Sequence, residues 1–327
     1  MLEATNLSKQ FKLYNKEPGL KATLKTFFHR DYYFNEAVKN FNLSLPDSGL
    51  VGLIGPNGSG KTTLMKMFTG IITPSAGSVK VIGEIPSERK NKFKKNISLV
   101  MGQKSQLWWD IPVMDSLLLF QKYYEIEESV FKKRVQDLGE RLETTKFFNI
   151  PVRKLSLGER MKMELMACLL HEPKVIFLDE PTIGLDSNSQ KNVRQFLQEY
   201  YRDKQPLILL TSHYMADVEA LCKKIVLIVK GEKKFDGSME EFKKNFKKEK
   251  TLIFDFLTKP SLLESTKKEL KDFPHQWNES KTQLKIRVPE KQLKEITIKI
   301  LTHYSVSDFQ TEKVSIEDIM DQAIQSR

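Results

Sequence analysis

The chain has 327 residues, of which 40% are hydrophobic and 29% charged, and its formal net charge at pH 7 is +11. Its length allows a large core and a second domain, and its composition is typical of a globular protein. The longest apolar runs, such as PLILL and IVLIV, are far shorter than the roughly 20 residues of a spanning helix. The first residues, MLEATNLSKQF, lack the apolar stretch of a signal peptide. We therefore expect a cytosolic protein that does not itself cross a membrane.

The apolar patterns predict the first elements in chain order. LEATNLSKQF and EAVKNFNLSL alternate as strands do, and a polar and aromatic insertion from about Asn15 to Asn35 separates them. LVGLIG (50–55) is a short, continuous apolar run that ends in glycine, as a buried parallel strand does. KVIFLDE (174–180) and LILLTSH (207–213) are similar runs, each preceded by segments with helical period.

Strands that alternate with helices predict an α/β domain with a mainly parallel sheet. Ligands of such sheets bind at the carboxyl ends of the strands. We therefore expect Gly55, Asp179, Glu180 and His213, which end or follow these runs, to converge.

The pattern changes after Lys230. GEKKFDGS predicts a turn and a short strand, and the helix-like, Lys/Glu-rich stretch that follows is interpreted as a linker. Beyond it follow TLIFDFL, a polar helix, QLKIRV, the helix-like PEKQLKEITIKILTHY, VSDFQTEK and SIEDIMDQAI. Together these segments indicate a small α+β unit. The domain prediction is therefore 1–237 for the α/β domain, 238–250 for the linker and 251–327 for a small α+β domain.

GPNGSGKT (55–62) matches the pattern G-x-x-x-x-G-K-[ST] and lies between a predicted strand and a predicted helix, as a phosphate-binding loop must. Glycines let the backbone curl so that its N–H groups point at phosphate oxygens. Lys61 is expected to reach the β- and γ-phosphates, and the Thr62 hydroxyl to bind Mg²⁺.

VIFLDE supplies two carboxylates after a buried strand. Asp179 can hold Mg²⁺ through water, and Glu180 can orient or deprotonate the attacking water. Adjacent carboxylates on a loop are usually only solvated, but their place after a buried strand in a P-loop protein favours the functional interpretation.

KLSLGERMKMEL (154–165) predicts a helix start, with Ser156 before the helix and Gly158 and Glu159 in its first turn. Unpaired N–H groups and the positive end of the helix dipole suit an anion there. The chain thus has a second potential phosphate site, a hundred residues after the first.

These motifs together resemble the ATPase subunit of an ABC transporter. GPNGSGKT, a glutamine loop at VMGQ (Gln103), the signature LSLGE (155–159), VIFLDE, a D-loop at GLD (184–186) and TSH with His213 occur in the family's order. The resemblance covers residues 1 to about 237, and it is strongest to single-domain, exporter-type ATPases with a C-terminal extension. It implies a P-loop NTPase fold with a RecA-like core, an antiparallel β subdomain and a helical signature subdomain.

The resemblance also implies residue roles. In this family two ATPase domains close head to tail, so the signature of one covers the γ-phosphate held by the P-loop of the other, through the Ser156 hydroxyl and the Gly158 N–H. Gln103 would contact Mg²⁺ and the attacking water, and His213 the γ-phosphate. The residues implied in binding ATP are Phe11, Gly55, Pro56, Asn57, Gly58, Ser59, Gly60, Lys61, Thr62, Thr63, Ser156, Gly158 and Asp186; those implied in catalysis are Glu180, His213, Gln103 and Lys61, and those in Mg²⁺ binding Thr62, Gln103 and Asp179. Phe11 would stack on adenine, or it packs in the core instead.

The signature departs from the family's LSGGQ at two positions. Leu157 replaces a glycine, and we expect it to be tolerated because Ser156 and Gly158 carry the phosphate contacts. Glu159 replaces glutamine; its charge either weakens closure on the nucleotide or favours the helix dipole. Met161, Met163, Met166 and Cys168, in the helix that follows, are interpreted as core.

Other side chains admit two interpretations each. Trp108 and Trp109 are either a docking surface for the membrane partner or core residues. Cys168 and Cys222 each lie in an apolar, helix-like context and are expected to be buried thiols. The basic runs Lys21–Arg30 and Arg89–Lys95 could contact nucleic acid or an anionic membrane, or they are solvated faces.

We expect an ATP-binding and ATP-hydrolysing subunit that powers a separate transmembrane permease, in the direction of export. Its expected ligands are ATP and Mg²⁺. Its expected partners are the permease subunits and a second ATPase subunit, as a homodimer on the cytoplasmic face of the membrane. The alternative is an ABC-type ATPase that acts on nucleic acid or the ribosome. The single P-loop and the lack of a long heptad run disfavour that alternative, so no nucleic-acid partner is expected.

Overall fold

The computed structural model describes residues 2–14, 32–102, 104–212, 214–246, 249–260, 270 and 272–313, and its contacts divide the chain into two units, Met1–Met239 and Glu240–Arg327. Gln103 and His213 lie outside the described residues. Within the described part, none of the helices is both long enough and apolar enough to span a membrane.

The first unit is built on a six-stranded sheet with the strand order β5-β6-β7-β3-β8-β9. Its pairs are parallel except the last, β8 with β9. The strands are β3 (Gly49–Ile54), β5 (Ile97–Met101), β6 (Val175–Asp179), β7 (Leu207–Thr211), β8 (Lys224–Val229) and β9 (Glu232–Ser238). The continuous apolar runs form the central strands because parallel sheets are covered on both faces. The predicted α/β class and parallel sheet are confirmed.

Helices continue the chain between these strands. They are α1 (Lys61–Phe68), α2 (Asn91–Lys94), α3 (Val113–Tyr124), α4 (Glu128–Arg141), α5 (Leu157–Leu169), α6 (Ser187–Lys204) and α7 (Met215–Leu221). The aromatic rings of Phe68 and Phe177, both fully buried, pack with 6.3 Å between centroids. This contact fixes α1, which begins at Lys61, against the strand that ends at Asp179.

A three-stranded antiparallel sheet with the order β2-β1-β4 forms the second layer of this unit. Its strands are β1 (Leu2–Tyr14), β2 (Tyr32–Leu45) and β4 (Ala76–Val81). The insertion predicted from about Asn15 to Asn35 extends too far toward the C-terminus. The strand β2 already begins at Tyr32, which pairs with Tyr14 of β1. Residues 15–31 of the insertion lie outside the described residues, and they include the basic run Lys21–Arg30.

Helix α5 carries the methionine and cysteine side chains that the sequence assigns to the core. Met161, Met163, Met166 and Cys168 are all buried, so this interpretation is confirmed. Cys222 is buried as well, and both cysteines are free thiols. Burial raises the pKa of Cys168 to about 12 and also raises that of Cys222, so both are unreactive thiols near neutral pH.

The surroundings of His171, just after α5, predict that the free energy of unfolding falls as the pH is lowered. Its ring stacks on Tyr124 with centroids 3.7 Å apart, and its Nε2 donates to the Ile97 carbonyl at 3.1 Å. Burial lowers the pKa of His171 to about 4. Above pH ~6.5 the imidazole is neutral in the folded and in the unfolded protein. As the pH falls from ~6.5 to ~4, the imidazole of the unfolded chain binds a proton and that of the folded protein does not, which favours unfolding. We therefore expect stability to fall between pH ~6.5 and ~4, by up to about 1.4 kcal/mol per pH unit.

Urea unfolding at pH 7.5, 6.5, 5.5 and 4.5 measures this slope. His171→Phe keeps the ring stack but has no titrating group, so its unfolding free energy should depend less steeply on pH than that of the parent. Equal slopes in the two proteins would show that His171 does not carry the effect.

The second unit holds a four-stranded antiparallel sheet with the order β11-β12-β10-β13. Its elements are α8 (Met239–Phe246), β10 (Glu249–Phe256), β11 (His275–Trp277), β12 (Gln283–Pro289), α9 (Leu293–His303) and β13 (Val306–Lys313). With β10 and β12 central, the order is that of a ferredoxin-like split βαβ sheet. Residues 238–250, predicted as a linker, include α8 and the first residues of β10. The C-terminal residues SIEDIMDQAI lie outside the described residues.

Candidate nucleotide-binding site

The loop between β3 and α1 is tightly curled, and two of its positions accept only glycine. The backbone of Gly60 has φ 108°, and a Cβ there would lie 2.4 Å from the Ala37 carbonyl oxygen. At Gly55 a Cβ would lie 2.0 Å from the Ile228 carbonyl oxygen. Both distances are shorter than any real Cβ contact, so the loop's curl depends on these glycines. Pro56, Asn57, Gly58 and Ser59 complete the loop, and Thr62 and Thr63 follow Lys61 at the start of α1.

Lys61 is folded back over the loop. Its Nζ donates to the carbonyl oxygens of Gly55 at 2.8 Å and Pro56 at 3.0 Å, and the residue is buried. Burial lowers the pKa of Lys61, while the carboxylates of Glu180 and Asp179 act in the opposite direction. The buried hydroxyl of Ser59 has no hydrogen-bond partner among the residues that the structure describes. A buried cation and an unpartnered donor beside backbone N–H groups fit a polyphosphate.

Strand pairing brings Asp179 and Glu180 to the same sheet edge. Asp179 is opposite Met101 on one side and Thr211 on the other. The Thr211 hydroxyl donates to Asp179 Oδ1 at 2.6 Å and accepts from the Glu180 backbone N–H at 3.1 Å. Glu180 has φ 57°, a strained conformation for a residue with a side chain and one that occurs preferentially at functional sites.

The residues that precede Gln103 and His213 also lie at this edge of the sheet. The Gly102 N–H, directly before Gln103, donates to the Asp179 carbonyl at 2.9 Å. Ser212, directly before His213, is buried. The predicted convergence therefore holds for Gly55, Asp179 and Glu180 at the strand ends, and the placement of Gln103 and His213 themselves is not described.

Sequence reasoning missed a buried network behind these loops. Asp217 on α7 is fully buried and accepts hydrogen bonds from Arg194 at 2.6 Å, from the Ser212 hydroxyl at 2.9 Å and from the Thr182 hydroxyl. Thr182 follows Glu180 by two residues, so Asp217 connects the segment after Glu180 with the segment before His213. A single Asp four residues after a histidine gives no signal in the sequence that could predict this.

The signature segment, residues 155–159, begins α5 with a capping box. The Ser156 Oγ accepts from the Glu159 N–H at 3.3 Å, and the Glu159 side chain accepts from the Ser156 N–H at 2.8 Å. The Ser156 hydroxyl keeps its own proton free to donate to an anion. Glu159 is thus engaged in capping the helix, which glutamine also does at this position, and its charge sits at the positive end of the helix dipole.

A cavity of about 480 Å³ lies beside the signature segment and the D-loop. Ser156, Gly158, Asp186 and Ser189 line it, and no residue of the loop 55–62 does. Asp186 caps α6 by accepting from the N–H groups of Asn188 and Ser189, both at 3.0 Å, and hydrogen bonding from Ser189 lowers the pKa of Asp186. This second potential anion site is therefore separate from the P-loop in one copy of the chain.

The aromatic candidates lie at the surface. Phe11 on β1 is half-buried, with Lys9 Nζ 5.3 Å from its ring centroid. Trp108 and Trp109 are 49% and 50% exposed, so the core interpretation of this pair is wrong. Trp108 packs edge-on against Phe120, and half of each indole remains available for a partner.

Comparison with known proteins gives a consistent result. A profile of the ABC transporter family matches residues 38–183. The ABC transporter ATP-binding protein NatA of Bacillus subtilis (strain 168) is 32% identical over 68% of this chain and 90% of its own length. The Nod factor export ATP-binding protein I of Cupriavidus pinatubonensis is 32% identical over 67% of each chain. Against the mouse organic anion transporter ABCA8A, at 31% identity, the match covers 72% of this chain and only 14% of that protein.

Solved structures share the fold. The ATP-binding subunit of an ABC transporter superposes with a TM-score of 0.62 over 75% of this chain and 92% of its own, at 21% identity. The dimeric ATP-binding cassette MJ0796 bound to ADP and Pi superposes with a TM-score of 0.61 over 73% of this chain and 99% of its own, at 20% identity. The P-loop geometry, the carboxylates at the sheet edge, the capped signature helix and these relationships agree: the chain belongs to the family of ABC transporter ATP-binding proteins.

Proposed function

We propose that two copies of this chain bind and hydrolyse two ATP molecules between them, and that the cycle drives a separate permease in the direction of export. The observation that carries the proposal is the separation of two candidate phosphate sites in one copy. One is the P-loop with buried Lys61, and the other is the capped helix start with Ser156 and Gly158, which lines a cavity that the P-loop does not reach. Head-to-tail apposition with C2 symmetry would combine them into two identical composite sites.

In each composite site the P-loop N–H groups, Lys61 and the Ser59 hydroxyl hold the phosphates of ATP, and Phe11 stacks on the adenine. The Ser156 hydroxyl and the Gly158 N–H of the second copy cover the γ-phosphate, and Asp186 lies at the dimer interface. Thr63 and the loop residues Pro56, Asn57 and Gly58 complete the cradle. Each of these roles rests on the position of the residue in the family's motifs and on the geometry described above.

Thr62, Asp179 and Gln103 would hold Mg²⁺. The Thr211 hydroxyl occupies one acceptor position of Asp179, and a carboxylate has about four, so capacity for a metal or its water remains. When bound, Mg²⁺ would neutralise charge on the β- and γ-phosphate oxygens.

Glu180 orients the attacking water and accepts its proton. The water oxygen forms a bond to the γ-phosphorus as the bond from that phosphorus to the β–γ bridging oxygen breaks, which yields ADP and inorganic phosphate. Lys61 stabilises the negative charge on the departing phosphate oxygens, and His213 contacts the γ-phosphate. Phosphate release removes the contacts of Ser156 and Gly158, so the dimer opens, and this opening would move the permease.

The proposal is tested by the dependence of ATPase activity on protein concentration. Because each site needs two copies, the specific activity should rise with concentration through the dimerisation range and fall toward zero on dilution. Full activity at dilutions where light scattering detects only monomer would overturn the proposal. Co-purification with a protein that has several membrane-spanning segments, after expression with its neighbouring genes, tests the permease partner.

Gly158→Ala should greatly lower ATP turnover and leave the unfolding free energy almost unchanged. A Cβ at this position would lie 3.3 Å from the Ser189 Oγ, which can move, and the position has ordinary helical backbone. We expect the unfolding free energy to change by less than about 1 kcal/mol. The methyl group would block the second copy's γ-phosphate, so turnover should fall about 100-fold.

Urea unfolding and phosphate release measure the two effects of Gly158→Ala. Gly83→Ala is a useful comparison, because this glycine is exposed and a Cβ there would meet none of the described residues within 4 Å, although its φ of 79° strains the backbone. Normal turnover in Gly158→Ala would contradict the role of the Gly158 N–H.

A further inference from the structure

A buried carboxylate joins the signature helix to the segment that precedes Trp108. Glu164 on α5 is 3% exposed. Its Oε1 and Oε2 accept from the Gln106 backbone N–H at 3.1 and 3.0 Å, and Oε1 also accepts from the Ser105 hydroxyl. These donors belong to the segment that follows Gln103, so a residue of the signature helix holds that segment in place.

The carboxylate is held by hydrogen bonds. Burial raises the pKa of Glu164, and the hydrogen bonds from Ser105, Gln106 and Leu107 act in the opposite direction, as does the more distant charge of Arg160. A buried acid is destabilising unless its acceptors are satisfied, so loss of any of these donors is unfavourable. The segment and the helix should therefore move as one body.

Arg160 makes a second connection one turn earlier on the same face of α5. Its guanidinium carbon lies 5.5 Å from the ring centroid of Trp109, which is within the range of a cation–π contact. The Trp109 carbonyl accepts from the Arg153 N–H at 3.0 Å, just before the signature segment. Helix α5 and the residues that lead into it thus contact the tryptophan segment at three points.

We propose that Glu164 and Arg160 are positioning residues that lock residues 105–109 to the signature helix, so that engagement of the signature with ATP displaces the Trp108–Trp109 surface. This inference rests on the proposed function, since it needs the signature to bind nucleotide. The half-exposed indoles are then the surface whose position depends on the nucleotide state. Ser156 and Gly158 at the start of α5 contact the nucleotide. The hydrogen bonds of the Glu164 carboxylate carry the resulting displacement of α5 to Ser105 and Gln106.

The experiment uses the full chain with Trp277→Phe, because the chain has three tryptophans and the remaining two are Trp108 and Trp109. Acrylamide quenching of their fluorescence is measured with and without Mg-ATP, in a Glu180→Gln background that holds the nucleotide. In this parent we expect the quenching constant to change on ATP binding. ATP affinity is measured separately by filter binding.

In Glu164→Ala the segment loses its acceptors. We expect the quenching constant to be high both with and without Mg-ATP, so that its dependence on nucleotide is lost. The Kd for ATP should stay within about threefold of the parent's value, a change below 1 kcal/mol. Glu164→Gln should restore much of the response, because its amide oxygen still accepts from Ser105 and Gln106. Glu128→Ala, at an exposed position of α4, is the matched control and should respond like the parent.

Arg160→Ala is the second variant, since it removes a surface contact and keeps the buried network. It should at least halve the response. The proposal is overturned if the parent binds ATP and shows no change in quenching, or if Glu164→Ala and Arg160→Ala both respond like the parent. If Glu164→Ala does not fold, Arg160→Ala alone decides between these outcomes. Absence of ATP binding in the parent would instead refute the proposed function.

Discussion

Glu180→Gln should bind ATP with the affinity of the parent and hydrolyse it about 10²- to 10⁴-fold more slowly. Glutamine keeps the shape of the side chain and the hydrogen bonds of the Glu180 backbone N–H to Thr211. It cannot accept a proton from water, so the chemical step loses its base. Because ATP is no longer consumed, this variant should also accumulate as a closed, nucleotide-bound dimer.

Phosphate release under saturating Mg-ATP, filter binding of ATP and light scattering measure the three effects of Glu180→Gln. Glu172→Gln makes the same chemical change at a carboxylate that pairs with Lys204 at 2.6 Å and precedes the amino end of β6, whereas Glu180 follows its carboxyl end. It should keep the activity of the parent. Turnover in Glu180→Gln within threefold of the parent would rule out Glu180 as the base.

Asp217→Ala should have the largest effect on stability. It leaves the partly buried Arg194 without its ion pair and removes the acceptor of the Thr182 and Ser212 hydroxyls. Breaking a buried pair by removing one partner costs about 3–5 kcal/mol. We expect a loss of unfolding free energy of this size in the first unit, together with lower turnover because the segments that flank Glu180 and His213 lose their common anchor.

Urea unfolding of Asp217→Ala is followed in the Trp277→Phe background, in which the tryptophan signal comes from the first unit alone. Glu128→Ala removes one partner of an ion pair whose side chains are both 71% exposed. Water screens an exposed pair of this kind, so the pair contributes little to stability and that variant should unfold almost like the parent. A similarly small effect of Asp217→Ala would show that the buried network contributes little.

Local patterns were enough to predict the central elements. The apolar runs that lead to Ile54, Asp179 and Thr211 form parallel strands, since a strand buried on both faces consists mainly of apolar residues. Their polar ends meet at one edge because parallel strands share a direction. The choice between core and surface for Trp108 and Trp109 could not be made from sequence, because aromatic residues occur in both.

The sequence by itself determined the P-loop, because the curl of GPNGSGKT depends on glycines at fixed positions within eight residues. It likewise determined the start of α5, since Ser156 and Glu159 cap the helix across a single turn. Only the tertiary structure decided which buried carboxylates anchor the site. Glu164 and Ser105 are 59 residues apart in the chain, and Asp217 and Thr182 are 35 apart. Such contacts depend on how helices pack on the sheet, and a lone acidic residue in a sequence does not reveal the donors that packing brings to it.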